Sequence, residues 1–224
     1  MAIRKPRLSA ETCTLTRPGK GRLRVALAFP NTYYVGMSNL GFQSVYRILT
    51  LSPDVTCERV FLPDLPAREL LRKTGTPLTS FDSHQPLSSF HVVAFSLSFE
   101  NDYLNVLTML SSAKIPLLSH ERSERAPLII AGGVAVFLNP EPLADIFDLF
   151  IIGEAEEVLG EFLRPLRVQQ KGRNLGKTHL SDFKDIPGVY VPSGYEIKYA
   201  DNGTIREVKP DKGYPEKIYC RHVE

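Results

Sequence analysis

Residues 148–166 read Asp148-Leu-Phe-Ile-Ile152, then Gly153-Glu154, then Ala155-Glu-Glu-Val158-Leu159-Gly-Glu-Phe162-Leu163-Arg-Pro165-Leu166. The apolar run is too short for a helix and reads as a buried strand. Beyond the glycine, Ala155, Val158, Leu159, Phe162, Leu163 and Leu166 recur at the spacing of one helical face. Pro165 sits inside that pattern and is expected to bend or shorten the helix end, because it lacks an N–H and crowds the preceding turn. A buried strand, a tight turn and an amphipathic helix make the repeating unit of a parallel sheet, and the same texture occurs upstream. Residues 23–29 are apolar and stop at Pro30-Asn31. Ser38 or Asn39 can then cap a helix carrying Phe42, Val45, Tyr46 and Leu49, which ends at Ser52-Pro53-Asp54. Residues 57–62 read as a second strand and 64–73 as a short helix. His91 to Leu97 reads as a third strand. Ser98 to Asp102 caps a helix with Tyr103, Leu104, Leu107 and Leu110 on one face. Residues 115–118 and 128–131 are further apolar runs on either side of a charged stretch, and the second ends in Gly132-Gly133. The expected class is α/β: a Rossmann-like parallel sheet of about five strands in flavodoxin-like order, with helices on both faces.

The flanks differ from this core. Residues 1–22 form a polar, basic N-terminal arm, and 23–177 the α/β domain. Residues 74–89, rich in Ser, Thr, Pro and Gly, read as a loop with at most one edge strand. From 178 to 224 alternating runs surround Asn202-Gly203, a strong hairpin signal, so 190–208 is expected to form an antiparallel hairpin within a connector. The chain has 224 residues, 43% of them hydrophobic and 23% charged, which suffices for a core without disulfides or a structural metal. Lys and Arg number 27 against 25 Asp and Glu, and a net charge of +2 gives no reason to infer nucleic-acid or membrane binding. Cys13, Cys57 and Cys220 are scattered, so neither a disulfide framework nor an iron–sulfur ligation pattern is present. No secretory signal and no apolar run of roughly 20 residues appears, and a cytoplasmic protein is expected.

Ligands of such sheets bind outside the carboxyl ends of the strands. Three of those ends carry small or polar residues: Asn31-Thr-Tyr33-Tyr-Val-Gly36, Ser96-Leu97-Ser98 and Gly132-Gly133. A dinucleotide fingerprint requires GxGxxG after the first strand, where only Gly36 and Gly41 stand. A Walker A loop requires Lys-Ser/Thr where Phe42-Gln43 stands, and a phospho-acceptor receiver requires acidic residues that these loops lack. No His pair shows metal-ligand spacing. Each surviving residue also has a structural reading. Gly132-Gly133 suits a tight turn, Asn101 and Asp102 suit helix caps, and Glu154, Glu156 and Glu157 complement a helix dipole.

Taken together, Asn31-x-Tyr33-x-x-Gly36, Ser96-Leu97-Ser98, Gly132-Gly133 and the later Gly153-Glu154-Ala-Glu resemble the cobalamin-binding domain found in front of many radical S-adenosylmethionine (radical SAM) enzymes. The likeness covers about 23–170, and 178–224 resembles the connector to the radical SAM barrel. The resemblance implies that Asn31, Tyr33, Gly36, Ser96, Ser98, Gly132, Gly133, Gly153 and Glu154 contact the cofactor. It implies no catalytic or protein-metal residue in this stretch, and a 4Fe–4S cluster and SAM only in the barrel. That barrel is the expected partner, and it would follow Glu224, because no three-Cys cluster motif precedes it. Tyr33 stands where the family has its cobalt-ligating His and Asn31 where it has an Asp. Any bound cobalamin is therefore expected base-off and His-off. A side chain at Gly133 is expected to fill the space of the nucleotide tail. The alternative is a degenerate domain of the same fold that serves, without cofactor, as a docking or substrate-shaping surface.

Overall fold

The computed structural model describes Glu11, residues 21–171 and residues 177–223. Apart from Glu11 and residues 21–22, the expected arm lies outside the described residues, as does Cys13. The apolar runs pair as β1 (Leu23–Phe29), β2 (Val55–Phe61), β3 (Val92–Ser96), β4 (Leu128–Gly132) and β5 (Leu149–Ile151), all parallel. A sixth strand, β6 (Val189–Tyr190), adds antiparallel to β5, and the order is β2-β1-β3-β4-β5-β6. The first five strands thus take the flavodoxin-like order. Chain direction across the sheet reverses between β1 and β3, which opens a crevice at their carboxyl ends.

The helices are α1 (Tyr33–Met37), α2 (Leu40–Leu51), α3 (Leu65–Thr74), α4 (Tyr103–Ser112), α5 (Val134–Leu138) and α6 (Ala155–Lys171). Asn39 caps α2 by accepting the Phe42 N–H at 2.8 Å, and Asp64 caps α3 by accepting the Ala67 N–H at 3.0 Å. One face of the sheet buries Val25, Leu27, Ile130 and Ile151 under Phe42 and Leu49 of α2 and Val158, Phe162 and Leu166 of α6. The other buries Val93, Phe95, Ile129 and Phe150 under Val106, Met109 and Leu110 of α4 and Ala135 and Val136 of α5.

Four local differences from the expectations have physical causes. In α4 the buried stripe is Val106, Met109 and Leu110, while Leu104 is exposed. Residues 115–118 are not a strand. The Ile115 N–H closes α4 by bonding the Leu110 carbonyl at 3.1 Å, and the Pro116 and Leu117 carbonyls accept from the Arg122 guanidinium. Helix α6 runs through Pro165 to Lys171, carried by the packing of Phe162, Leu163 and Leu166. The hairpin is β7 (Tyr195–Tyr199) with β8 (Ile205–Pro210), shorter than expected because Val189–Tyr190 is taken by the main sheet. Gly203 makes the hairpin turn at φ +80°.

Candidate functional site

Small side chains leave room at the carboxyl edge. Ala94 of β3, Gly132 of β4, Gly41 and Ser44 of α2 and Ala155 of α6 all face one cavity of about 450 Å³ between the two helices and the sheet. Its depth is apolar, with Leu27, Val92, Ile130, Leu49, Leu159 and Phe162. Its mouth carries polar groups, with Asn39, Ser96, Ser98, Glu154 and Glu156. Leu40, Phe99, Val134 and Leu138, from segments that follow β1, β3 and β4, are exposed.

The mouth is fastened by a short set of hydrogen bonds. Asn39 Nδ2 donates to Ser98 Oγ at 3.1 Å while its Oδ1 caps α2, so one side chain ties the loop after β3 to that helix. The Leu97 N–H donates to the Gly132 carbonyl at 2.8 Å and the Leu97 carbonyl accepts from Ala135 N–H at 3.2 Å. This close approach decides Gly133, which lies at φ +110° with a hypothetical Cβ only 2.4 Å from the Leu97 oxygen. The absent side chain at 133 therefore leaves space for the Leu97 backbone, and Gly133 lines the cavity beside it. Gly132 is different: a Cβ there meets only Ile151, at 3.5 Å and beyond. Because Cβ direction alternates along a strand, it would share the cavity face with Ile130.

Gly153 and Glu154 hold a returning segment. Gly153, at φ +127°, pairs with Arg221, whose carbonyl oxygen lies 2.3 Å from a hypothetical Gly153 Cβ. The Glu154 N–H donates to the Arg221 carbonyl at 2.8 Å, and the Arg221 N–H to the Ile152 carbonyl at 3.2 Å. The Glu154 carboxylate accepts the Val223 N–H, and the Arg221 guanidinium reaches Glu157 and Glu161 at 3.4 and 3.5 Å. Residues 220–223 thus form a strap across the start of α6, and Cys220 and His222 join the cavity lining. Burial, and then the charge of Glu154, push the Cys220 thiol up from its ordinary range. The motif reading missed both residues, because the only signal for them is a contact across more than 60 positions.

The structure brings Ser96, Ser98, Gly132, Gly133, Gly153 and Glu154 together around the cavity; Asn31, Tyr33 and Gly36 do not line it. Asn31 Nδ2 donates to Asp102 Oδ1 at 3.1 Å. Gly36 is buried where a Cβ would lie 2.6 Å from the Phe61 ring. Tyr33 stacks on Phe81 with ring centroids 5.0 Å apart and donates its hydroxyl to Glu11. Burial, and then that hydrogen bond, push its pKa to about 12, so at neutral pH it is a phenol rather than a phenolate donor. Glu11 is also held by Arg59, whose Nη1 and Nη2 reach its two oxygens at 2.7 and 2.9 Å. Asp82 closes the group at 2.8 Å from Arg59 Nη2. This cluster sits beside the β2 edge and accounts for Tyr33 without any ligand. Among the described residues, no group of three or more His, Cys, Asp or Glu is arranged to hold a metal, and no helix is long and apolar enough to cross a membrane.

The family model described as "Radical SAM proteins, N-terminal" matches residues 41–192. An uncharacterized protein of Methanocaldococcus jannaschii is 22% identical over 188 residues, which cover 84% of this chain and 32% of the relative. The chain therefore spans about a third of that relative's length. No solved structure matches the chain.

Proposed function

The chain belongs to the family of N-terminal domains of radical SAM proteins, and from the cavity at the carboxyl edge of its sheet we propose that it seats a cobalamin beside a radical SAM barrel elsewhere in the parent protein. The barrel would hold the 4Fe–4S cluster and SAM. The observation that carries the reading is the cavity between α2 and α6. At about 450 Å³ it falls within the roughly 300–1,000 Å³ of small-molecule sites, and its apolar depth suits a flat aromatic base. Ser96, Ser98 and Asn39 at its mouth can hydrogen-bond the ribose and phosphate that follow such a base. The cradle at Gly132, which a larger side chain would fill, supports entry of the tail there. The cofactor would be base-off, since its own base occupies the cavity, and the loop after β1 offers no ligand to its lower face. When bound, cobalamin supplies a cobalt centre able to carry a transferable methyl group. The residues of this chain bind and orient it, and none performs the chemistry.

Titrating the purified chain with hydroxocobalamin tests this. The expected result is a saturable change in the cobalamin absorption bands, with one cobalamin per chain retained through gel filtration. No spectral change and no retention would refute it. The exposed Leu40, Phe99 and Leu138 support a second reading, a cofactor-free docking surface, which predicts that null result together with binding to the separately produced barrel.

A further inference from the structure

The hairpin β7–β8 is an amphipathic ribbon. Its register sets Tyr195 opposite Pro210, Ile197 opposite Val208 and Tyr199 opposite Ile205, so one face carries three apolar cross-strand pairs. The last pair exists because the register shifts after Lys198. Arg206 is the extra residue, and the bulge brings Ile205 opposite Tyr199. The other face sets Glu196 against Lys209 and Lys198 against Glu207, the latter pair 2.8 Å apart, and is suited to water. The apolar face is anchored at one end. Tyr195 packs on Tyr190 with ring centroids 5.2 Å apart and donates its hydroxyl to the Pro215 carbonyl at 2.9 Å. Towards the turn, Tyr199, Ile205 and Val208 are exposed, and none of the three lines the cavity.

A two-stranded ribbon is marginal in water on its own and gains stability when its apolar face is covered. We infer that the apolar face of β7–β8, at Tyr199, Ile205 and Val208, docks against the radical SAM domain of the parent protein. Docking there follows from family membership and holds whether or not the cavity takes a cobalamin. Two observations select this occupant. The family is one of N-terminal domains, and the match covers 32% of the relative's length, so about two thirds of such a protein lies outside it. The three side chains also expose only on the order of 300 Å², well short of the roughly 800 Å² per partner of a stable free complex. A domain on the same polypeptide needs less area, because the tether holds it at a high effective concentration.

The test is amide hydrogen exchange of segment 195–210, followed by mass spectrometry in the 224-residue chain and in the full-length parent protein. In the chain the hairpin should exchange at a rate independent of protein concentration. In the parent it should exchange at least about tenfold more slowly. The double variant Tyr199→Thr, Val208→Thr keeps strand-forming residues but removes the apolar surface. It should return the parent's rate to within about twofold of the chain's. Lys198→Thr, on the charged face, should leave the protection in place. Tyr199 and Val208 are exposed, so the double variant should leave the Tm of the 224-residue chain unchanged, which checks its folding; the comparison of chain with parent needs no variant. Equal exchange in chain and parent, or protection that survives the double variant, would overturn the assignment. Protection that grows with the concentration of the chain alone would give the face to a second copy and overturn it as well. None of these outcomes bears on cobalamin retention, which the titration reads separately.

Discussion

Two adjacent glycines should respond in opposite ways to substitution. At Gly132 the backbone has no positive φ, and an added Cβ meets the Ile151 oxygen at an ordinary 3.5 Å. The Cβ of a residue at 132 therefore fits the fold. A β-branched residue in a strand, with fewer unfolded conformations, should raise stability by up to about 1 kcal/mol. For a chain of this length that is a rise in Tm of roughly 2–4 °C. Its methyl groups, however, project beside Ile130 into the mouth of the cavity. Forcing a ligand against them costs about 1–3 kcal/mol, as overpacking does elsewhere, so cobalamin affinity should fall roughly 5- to 150-fold. At Gly133 the balance is reversed. An L-residue at φ +110° is strained by about 1–3 kcal/mol, and its Cβ would stand 2.4 Å from the Leu97 oxygen. Gly133→Ala should lower Tm by several degrees. Thermal denaturation without ligand and the absorbance titration, run on both variants, separate the two effects. Normal affinity in Gly132→Val would show that the tail does not enter there. Unchanged stability in Gly133→Ala would refute the close approach to Leu97.

Three further outcomes follow from buried and half-buried polar groups. Arg59→Ala should destabilise by about 3–5 kcal/mol, because it removes the buried guanidinium that bridges the carboxylates of Asp82 and Glu11 beside the β2 edge; a loss below about 1 kcal/mol in chemical denaturation would contradict that. His91 accepts the Arg24 N–H through Nδ1 at 2.9 Å, and burial, then the Arg24 charge, hold its pKa below the ordinary value. The unfolded chain thus takes up a proton near pH 6.5 that the folded chain refuses, so stability is full above about pH 6.5 and declines as pH falls through it. His91→Asn keeps an acceptor and should flatten that decline in urea midpoints measured against pH. Burial also pushes the Cys57 thiol far above its usual range, so in the folded protein Cys57 should resist alkylation at pH 8 and react once denatured, as read by mass spectrometry. Rapid native labelling of Cys57 would show that β2 opens.

The parallel core was legible because its information is local. Leu23–Phe29, Val92–Ser96 and Leu149–Ile151 are continuous apolar runs of strand length, and Asn39 caps its helix within three residues of itself. What escaped depended on distant partners. Val189–Tyr190 is only two residues long and becomes a strand because the edge of β5 is free to receive it. Leu104 has helical spacing with Leu107, yet which stripe of α4 is buried depends on where the sheet lies beneath it. The apolar run 115–118 ends a helix instead of forming a strand because the buried Arg122 guanidinium, held by the buried Asp148 carboxylate, draws the Pro116 and Leu117 carbonyls inward.

The candidate site divides along the same line. Ser96, Ser98 and Gly132 sit where strand ends must put them, so a motif reading placed them at the cavity without knowledge of the helices. Tyr33 follows β1 at the spacing of a ligand, but spacing specifies only position along the chain, and its direction is set by Glu11, Arg59 and Phe81 at the far side of β1. A residue can thus keep a motif's place while its side chain serves the sheet edge. Gly153 shows the converse. Its positive φ and the lack of room for a Cβ are explained entirely by Arg221, so the glycine that looks like part of a cofactor loop is the socket for the strap. That socket brings His222 to the cavity. Replacing Gly153 with Ala sets a Cβ 2.3 Å from the Arg221 carbonyl oxygen in a backbone conformation that L-residues rarely adopt, so the strap should come away from the start of α6. Gly153→Ala should therefore lower Tm by several degrees and speed amide hydrogen exchange at Arg221 and Val223, whose N–H groups bond Ile152 and Glu154. Unchanged exchange at those amides would mean that the strap is held elsewhere.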